Sequence, residues 1–278
     1  MLKNRTKSIL VATDFSNCAK NAADYVLSLS GLFDVTIDLV HVVTVPIVDP
    51  MVPSFYLETA FREQSDADWS LLAKEKKRLE KKAKDMGIDV QIDALLKTGI
   101  SNLQIAKAAE EVQAEFIVVG SKGKDWVRSI LGSTTEDLLH TLNRALLVIP
   151  TDAKFTPLKK MIFASDIKEG DALALKKFSE HTALFKAEAE VLHINEKGIP
   201  EVEEAFHELQ QKVNIDELKF STIPMREPSA VLTFLANLEE ASIIAFRKIH
   251  RPFFKAIFHR SLIKEKIYYS EKPILVYP

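Results

Sequence analysis

Short apolar runs alternate along this chain with longer amphipathic stretches. The runs at Ile9–Thr13, Ile37–Val43, Val90–Leu96, Phe116–Val119 and Leu146–Ile149 are brief and rich in β-branched residues. Runs of that length and composition predict strands buried on both faces of a parallel sheet. Helical spacing dominates between them. Ser16 has the side chain to accept a hydrogen bond from amides of the next turn, so it predicts the N-cap of a helix running to about Ser30. Leu72, Leu79, Ala83 and Met86 form a stripe that predicts a second helix, with the intervening Lys/Glu run as its solvated face. Further helices are predicted near Ile105–Val112 and from Thr135 to Leu142. Repeated strand–helix alternation predicts a doubly wound parallel α/β sheet.

The pattern occurs twice. Lys7-Ser-Ile-Leu-Val-Ala-Thr-Asp14 is echoed by Lys159-Lys-Met-Ile-Phe-Ala-Ser-Asp166, and Leu39-Val-His41-Val by Val191-Leu-His193-Ile, each 152 positions later. Ala145-Leu-Leu-Val-Ile-Pro150 returns as Pro273-Ile-Leu-Val-Tyr-Pro278 only 128 positions later, so the second copy is 24 residues shorter. Its strands are predicted near Met161–Ser165, Glu190–Ile194, Lys219–Ile223, Ile243–Phe246 and Ile274–Tyr277. The missing part is assigned to the loop Thr44–Ser54, with Pro46, Pro50 and Pro53, and to most of the helix after it. Thr151–Pro157 reads as a linker. The expectation is two tandem five-stranded parallel-sheet domains, 1–152 and 153–278, Rossmann-like and related by a pseudo-twofold.

Composition narrows the function classes. The 278 residues are 47% hydrophobic and 27% charged, with a formal net charge of -2. That is an ordinary globular balance, with no overall bias toward nucleic acid or anionic lipid. The polar, basic start of the chain does not suit a signal peptide, and no apolar run is long enough for a bilayer. Cys18 stands alone and cannot form an intrachain disulfide. A cytoplasmic location is expected, with no membrane association.

The candidate chemistry lies after the fourth strand. Gly120-Ser-Lys-Gly123 is followed, after eight intervening residues, by Gly132-Ser133-Thr134, so three of the chain's eight glycines occupy one strand-to-helix connection. Glycine lets main chain approach a ligand closely, and free amides beside Ser and Thr hydroxyls suit a phosphate. Thr13 and Asp14 close the first strand, at the edge where open α/β sheets bind ligands. A carboxylate there can accept from a ribose or base, or help hold a phosphate-bound Mg²⁺.

These segments resemble the universal stress protein family. The likeness covers nearly the whole chain as two copies and rests on Ala12-Thr-Asp-Phe-Ser16, Val40-His-Val42 and Val118-Val-Gly-Ser-Lys-Gly…Leu-Gly-Ser-Thr…Arg-Ala-Leu-Leu-Val-Ile-Pro150. Nucleotide-binding members show Gly-x2-Gly-x9-Gly-[Ser/Thr]. The resemblance implies ATP, with or without Mg²⁺, in the first domain only: Gly120, Gly123, Gly132, Ser133 and Thr134 at the phosphates, Asp14 and Val42 flanking the adenosine. Eight residues here replace nine, a change that the loop either absorbs or passes on to the amides. In the second copy Arg247-x2-His250-x9-Arg260-Ser261 keeps the spacing, but every glycine is basic. Two readings stand: a pocket closed by side chains, or drift to a surface basic patch. Asp166 is then expected to cap the next helix or to anchor one of those cations.

Other signals are read as structural. His41 and His193 predict hydrogen-bonded core histidines, and no residue is spaced with them for a metal site. Cys18 reads as a small packing residue. Trp126 lies inside the glycine loop. The stretch Arg247–Lys266 carries Phe253, Phe254 and Phe258 at helical spacing, which favours an amphipathic connection over RNA or lipid binding. Signatures of adenylyl transfer, pyrophosphate-releasing ligases and P-loop ATPases are absent. A dedicated enzyme is therefore not expected, though slow hydrolysis of bound ATP is left open. The reading is a stress-response regulator that binds ATP or a related adenine nucleotide and acts on a protein partner yet to be found. The alternative is a nucleotide-free scaffold recognising acidic partners through 247–266. The last strands, Leu146–Ile149 and Ile274–Tyr277, are expected to pair within the chain, and further self-association is left open.

Overall fold

The structure, a computed structural model, describes residues 7–44, 54–121, 143–165, 167, 169–195, 202–215, 218–224, 241–248 and 272–278. The predicted helix at 135–142, Trp126, Asp166 and all of 249–271 lie outside them.

The chain divides into two compact units. The first holds the described residues up to Gly120 together with Asn143 and Arg144; the second holds Ser121 and those from Ala145 onward. Unit one contains β1 (Lys7–Ala12), α1 (Asn17–Ser30), β2 (Val35–Val43), α2 (Ser54–Met86), β3 (Gln91–Thr98), α3 (Ser101–Glu111) and β4 (Ala114–Gly120). Its strands run β3-β2-β1-β4, with parallel pairing of β1 to β2, β1 to β4 and β2 to β3. Ile9, Leu10, Val11, Ile37, Leu39, Phe116, Ile117 and Val118 are fully buried, as continuous apolar runs in a parallel sheet require. Each such side chain contributes roughly 1.5–3 kcal/mol on burial.

Local signals place the helices. Ser16 caps α1 through its Oγ, which accepts from the Ala19 amide at 3.2 Å. In α2 the stripe Leu72, Leu79, Ala83 is buried, but Met86 is 45% exposed, which corrects the predicted stripe. The helix stops there. Gly87 takes φ +67, its amide donates to the Lys84 carbonyl, and the Ile88 amide donates to that of Ala83. This two-bond closure turns the chain away, and half-buried Ile88 follows where a further helical turn would have lain. Arg78 and Lys82 each reach Asp24 of α1 at 2.7 Å, joining the two helices.

Unit two contains β5 (Ala145–Ile149), β6 (Lys160–Ser165), a 3₁₀ turn (Glu169–Asp171), α4 (Ala172–Phe185), β7 (Glu188–Asn195), α5 (Val202–Val213), β8 (Lys219–Pro224), β9 (Ala241–Arg247) and β10 (Ile274–Tyr277). Its strand order is β5-β10-β9-β6-β7-β8. All described pairs are parallel except β5 with β10, where Leu147 faces Leu275 in antiparallel register. Thus the last strands of the two sequence copies pair, and β5 belongs by packing to the second unit, whereas the sequence repeat assigned it to the first copy.

The repeat extends to fine detail. The β1–β4 ladder slips between Ser8 and Ile9, and the β6–β9 ladder slips at the equivalent place, between Lys160 and Met161. Most of the length difference falls in the helix after the second strand, as expected, but the loop before it is shortened rather than lost, with six residues between Asn195 and Val202, and Ser54 belongs to α2. The helix after the second strand has 33 residues in the first copy and 12 in the second.

Candidate functional site

The first copy's candidate site lies at the carboxyl ends of β1 and β4. β1 has β2 on one side and β4 on the other, the reversal of strand order at which open α/β sheets bind ligands. Thr13 and Asp14 leave β1 at this edge, and Gly120 ends β4.

The turn after β1 is held from several sides. The Thr13 amide donates to the Val40 carbonyl at 2.9 Å, and the Thr13 Oγ1 accepts from the Phe15 amide at 3.0 Å. Phe15 takes φ +63, a left-handed conformation that costs an ordinary residue about 1–2 kcal/mol. His41 offsets part of that cost. Its Nδ1–H donates to the Thr13 carbonyl at 2.7 Å, its ring lies 4.4 Å from the Phe15 ring, and its Nε2 faces Asp68 of α2 at 3.5 Å. The carbonyl can only accept, so the proton on Nδ1 is assigned by the geometry. Asp14 is exposed; its Oδ1 accepts from the Ser16 amide at 3.0 Å, and among the described residues Oδ2 has no partner.

Val42 is half-buried near the end of β2. Thr13, Asp14, Val42 and Gly120 therefore come to one sheet edge. Gly123, Gly132, Ser133 and Thr134 lie outside the described residues.

Gly120 has a packing reason of its own. A Cβ placed there would meet the Cys18 carbonyl oxygen at 2.6 Å and the Cys18 Sγ at 2.7 Å. The end of β4 thus lies directly against the first turn of α1, and only glycine fits. Cys18, 6% exposed, is the packing residue its position suggested.

The second copy keeps the turn and replaces the glycine. The Ser165 Oγ accepts from the Ile167 amide at 2.9 Å, Ile167 takes φ +55, and the His193 Nδ1–H donates to the Ser165 carbonyl at 2.9 Å. Both histidines are hydrogen-bonded, as the sequence predicted, and His193 is buried; His41 is only half-buried, which corrects its reading as a core residue, and each supports a strand-end turn. Arg247 stands where the first copy has Gly120. Its side chain is 12% exposed, and its Nε donates to Asp171 Oδ1 at 2.5 Å. Asp171 is fully buried and also accepts from the Ser165 hydroxyl at 2.7 Å. Gly170, the counterpart of Cys18, makes the room: a Cβ there would lie 2.8 Å from an Arg247 guanidinium nitrogen. The small and large partners have exchanged sides of the contact. Arg247 is an interior ion-paired group, so the surface-patch reading does not hold for it; His250 and Arg260 lie outside the described residues.

Sequence reasoning missed Phe15, Asp68 and Asp171. The 152-residue offset offered the signal for the last, since it sets Asp171 against Ala19 and Gly170 against Cys18. Among the described residues no cluster of three or more His, Cys, Asp or Glu could hold a metal ion, and no helix is long and apolar enough to cross a membrane.

The model of the universal stress protein family matches residues 5–150. This chain belongs to the universal stress protein family. Two family members from Methanocaldococcus jannaschii are similar to it. One is 29% identical over 154 residues, 51% of this chain and 94% of its own length; the other is 26% identical over 161 residues, 55% and 86%. A universal stress protein from Archaeoglobus fulgidus has a solved structure of the same fold, with TM-score 0.68 and 16% identity, covering 98% of both chains. A second, from Pseudomonas aeruginosa, covers 98% of this chain and 93% of its own at TM-score 0.52 and 14% identity. The fold is thus that of a universal stress protein along almost the whole chain.

Proposed function

We propose that the first copy binds ATP or a related adenine nucleotide and that the protein is a stress-response regulator whose partner contacts change with occupancy. The observation that carries this reading is the exposed carboxylate of Asp14 at the switch point between β2 and β4, on a turn held by His41. The glycine-rich sequence Gly120-x2-Gly123-x8-Gly132-Ser133-Thr134 continues from the neighbouring strand end. Bare amides there suit phosphate oxygens, and Asp14 suits a ribose hydroxyl or a phosphate-bound Mg²⁺. The second copy lacks the first of these glycines: Arg247 stands at the Gly120 position, with its guanidinium paired to buried Asp171.

The protein is proposed to work in the cytoplasm as a binding switch rather than a dedicated catalyst. Isothermal titration of the full chain with Mg-ATP, with native mass spectrometry for co-purified nucleotide, tests the reading. One nucleotide per chain, lost in Asp14→Ala and Gly123→Arg, is the expected result. Undiminished binding in both variants would remove the site assignment, and no binding by the unmodified chain would favour a nucleotide-free scaffold.

A further inference from the structure

Unit one holds a cavity of about 490 Å³ between α2 and the edge of the sheet formed by β2 and β3. Its size is in the ordinary range of small-molecule sites. It is separate from the candidate site at Asp14, and its lining shares no residue with the nucleotide site.

The two copies of the chain differ sharply in how they treat the carboxylate at this place. Asp38 of β2 corresponds to Glu190 of β7, Ser8 to Lys160, and Asp93 to Lys219; the last two face Asp38 and Glu190 directly in the strand registers. In the second copy Glu190 is satisfied from within. Lys160 pairs with it, Ser221 donates to it, and Lys219 adds a second positive charge beside it. In the first copy both cations are gone. Asp38, only 6% exposed, has the Ser8 hydroxyl as its donor and a second carboxylate, Asp93, as its neighbour.

Two lysines reach the lining, and neither is paired with Asp38. Lys76 is shared between Glu80 and Asp93, each at 3.7 Å. Lys77 lies on the exposed side of α2. Carboxylates outnumber ammonium groups in the lining, and a buried carboxylate without a cation is costly. The rest of the wall is apolar or aromatic: Ala73, Ala94, Leu95 and the indole of Trp69, which is 48% exposed. An indole face attracts a cation with a hydrocarbon body, and an apolar floor suits that body better than it suits a hydrated metal ion.

We propose that this cavity binds a small organic ammonium ion, its charged head taking the place that Lys160 occupies in the second copy and its hydrocarbon body lying against Trp69 and Leu95. The site depends on Asp38 and is independent of nucleotide binding.

The test is titration of the ¹⁵N-labelled full chain with phenethylammonium chloride, following the Trp69 indole N–H signal, assigned with a Trp69→Phe variant. The neutral isostere 2-phenylethanol and MgCl₂ serve as comparisons. The expected result is a saturable shift with the ammonium compound, at least about tenfold weaker for the alcohol and in Asp38→Asn, a factor of ten corresponding to about 1.4 kcal/mol. Ser8→Lys installs the second copy's own cation and is expected to abolish the shift, with its thermal melt reporting that the chain is folded. An immobile Trp69 signal, an equal response to alcohol or Mg²⁺, or unchanged affinity in Asp38→Asn would each overturn the proposal. The Asp38→Asn result decides the matter if Ser8→Lys does not fold.

Discussion

Arg247 of β9 and Asp171 before α4 form an ion pair at 2.5 Å at the place where the first copy packs Gly120 against Cys18. The arginine alone would be a buried charge, and the aspartate alone would be another. Together they fill the contact between the end of β9 and the β6–α4 turn, which Gly170 leaves room for on the turn side.

Breaking one half of the pair is expected to be costly. Asp171→Asn and Arg247→Gln should each lower unfolding free energy by about 3–5 kcal/mol, because each strands the opposite charge. Asp171→Leu with Arg247→Met should lose clearly less than the sum of the single changes. Urea denaturation of the three variants measures this, and strict additivity would show that the pair is not coupled.

Gly120→Ala should destabilise the first copy by about 1–3 kcal/mol, since the added carbon meets main chain as well as the Cys18 side chain. Cys18→Ala should not rescue it. Denaturant midpoints of the single and double variants check both statements.

Ile167 is β-branched at φ +55, a conformation glycine adopts freely. Ile167→Gly should therefore gain up to about 1 kcal/mol through relief of that strain, less whatever its half-buried side chain contributes. The equivalent Phe15→Gly should gain less or lose, because Phe15 also packs on His41.

Asp38 and Glu190 should bend the pH dependence in opposite directions. Burial pushes Asp38 up and Asp93 adds to it, with the Ser8 hydroxyl opposing. The folded state therefore favours the protonated acid, and Asp38 costs stability increasingly as pH rises through its unfolded value toward its folded one. Asp38→Asn should raise Tm at pH 7 and lose that advantage near pH 4. At Glu190 burial also pushes upward, but hydrogen bonds from Lys160 and Ser221 and the charges of Lys160 and Lys219 hold it below the usual carboxylate range. Its stabilisation is present in full above the unfolded value and is lost as pH falls through the folded one. Glu190→Gln should lower Tm at pH 7, by an amount that shrinks in acid. Thermal melts from pH 4 to 7 separate the two.

Sequence patterning alone determined the strands, the capped start of α1, the duplication and the shortening of the helix after the second strand. Apolar periodicity, an N-cap serine and a repeated motif act over a few residues and need no knowledge of what packs above them. The local code failed at Met86, where a terminating turn after Gly87 decided which side chain was covered. It also could not tell why Gly120 is glycine, why Arg247 is tolerated inside, or why Ser8 and Lys160 at equivalent sites leave one carboxylate unpaired and the other satisfied. Those answers lie in contacts between segments 30 to 102 residues apart, from Ser8–Asp38 to Cys18–Gly120. The free volume at a strand's end and the counter-charge beside a buried acid are properties of the neighbours that folding brings there.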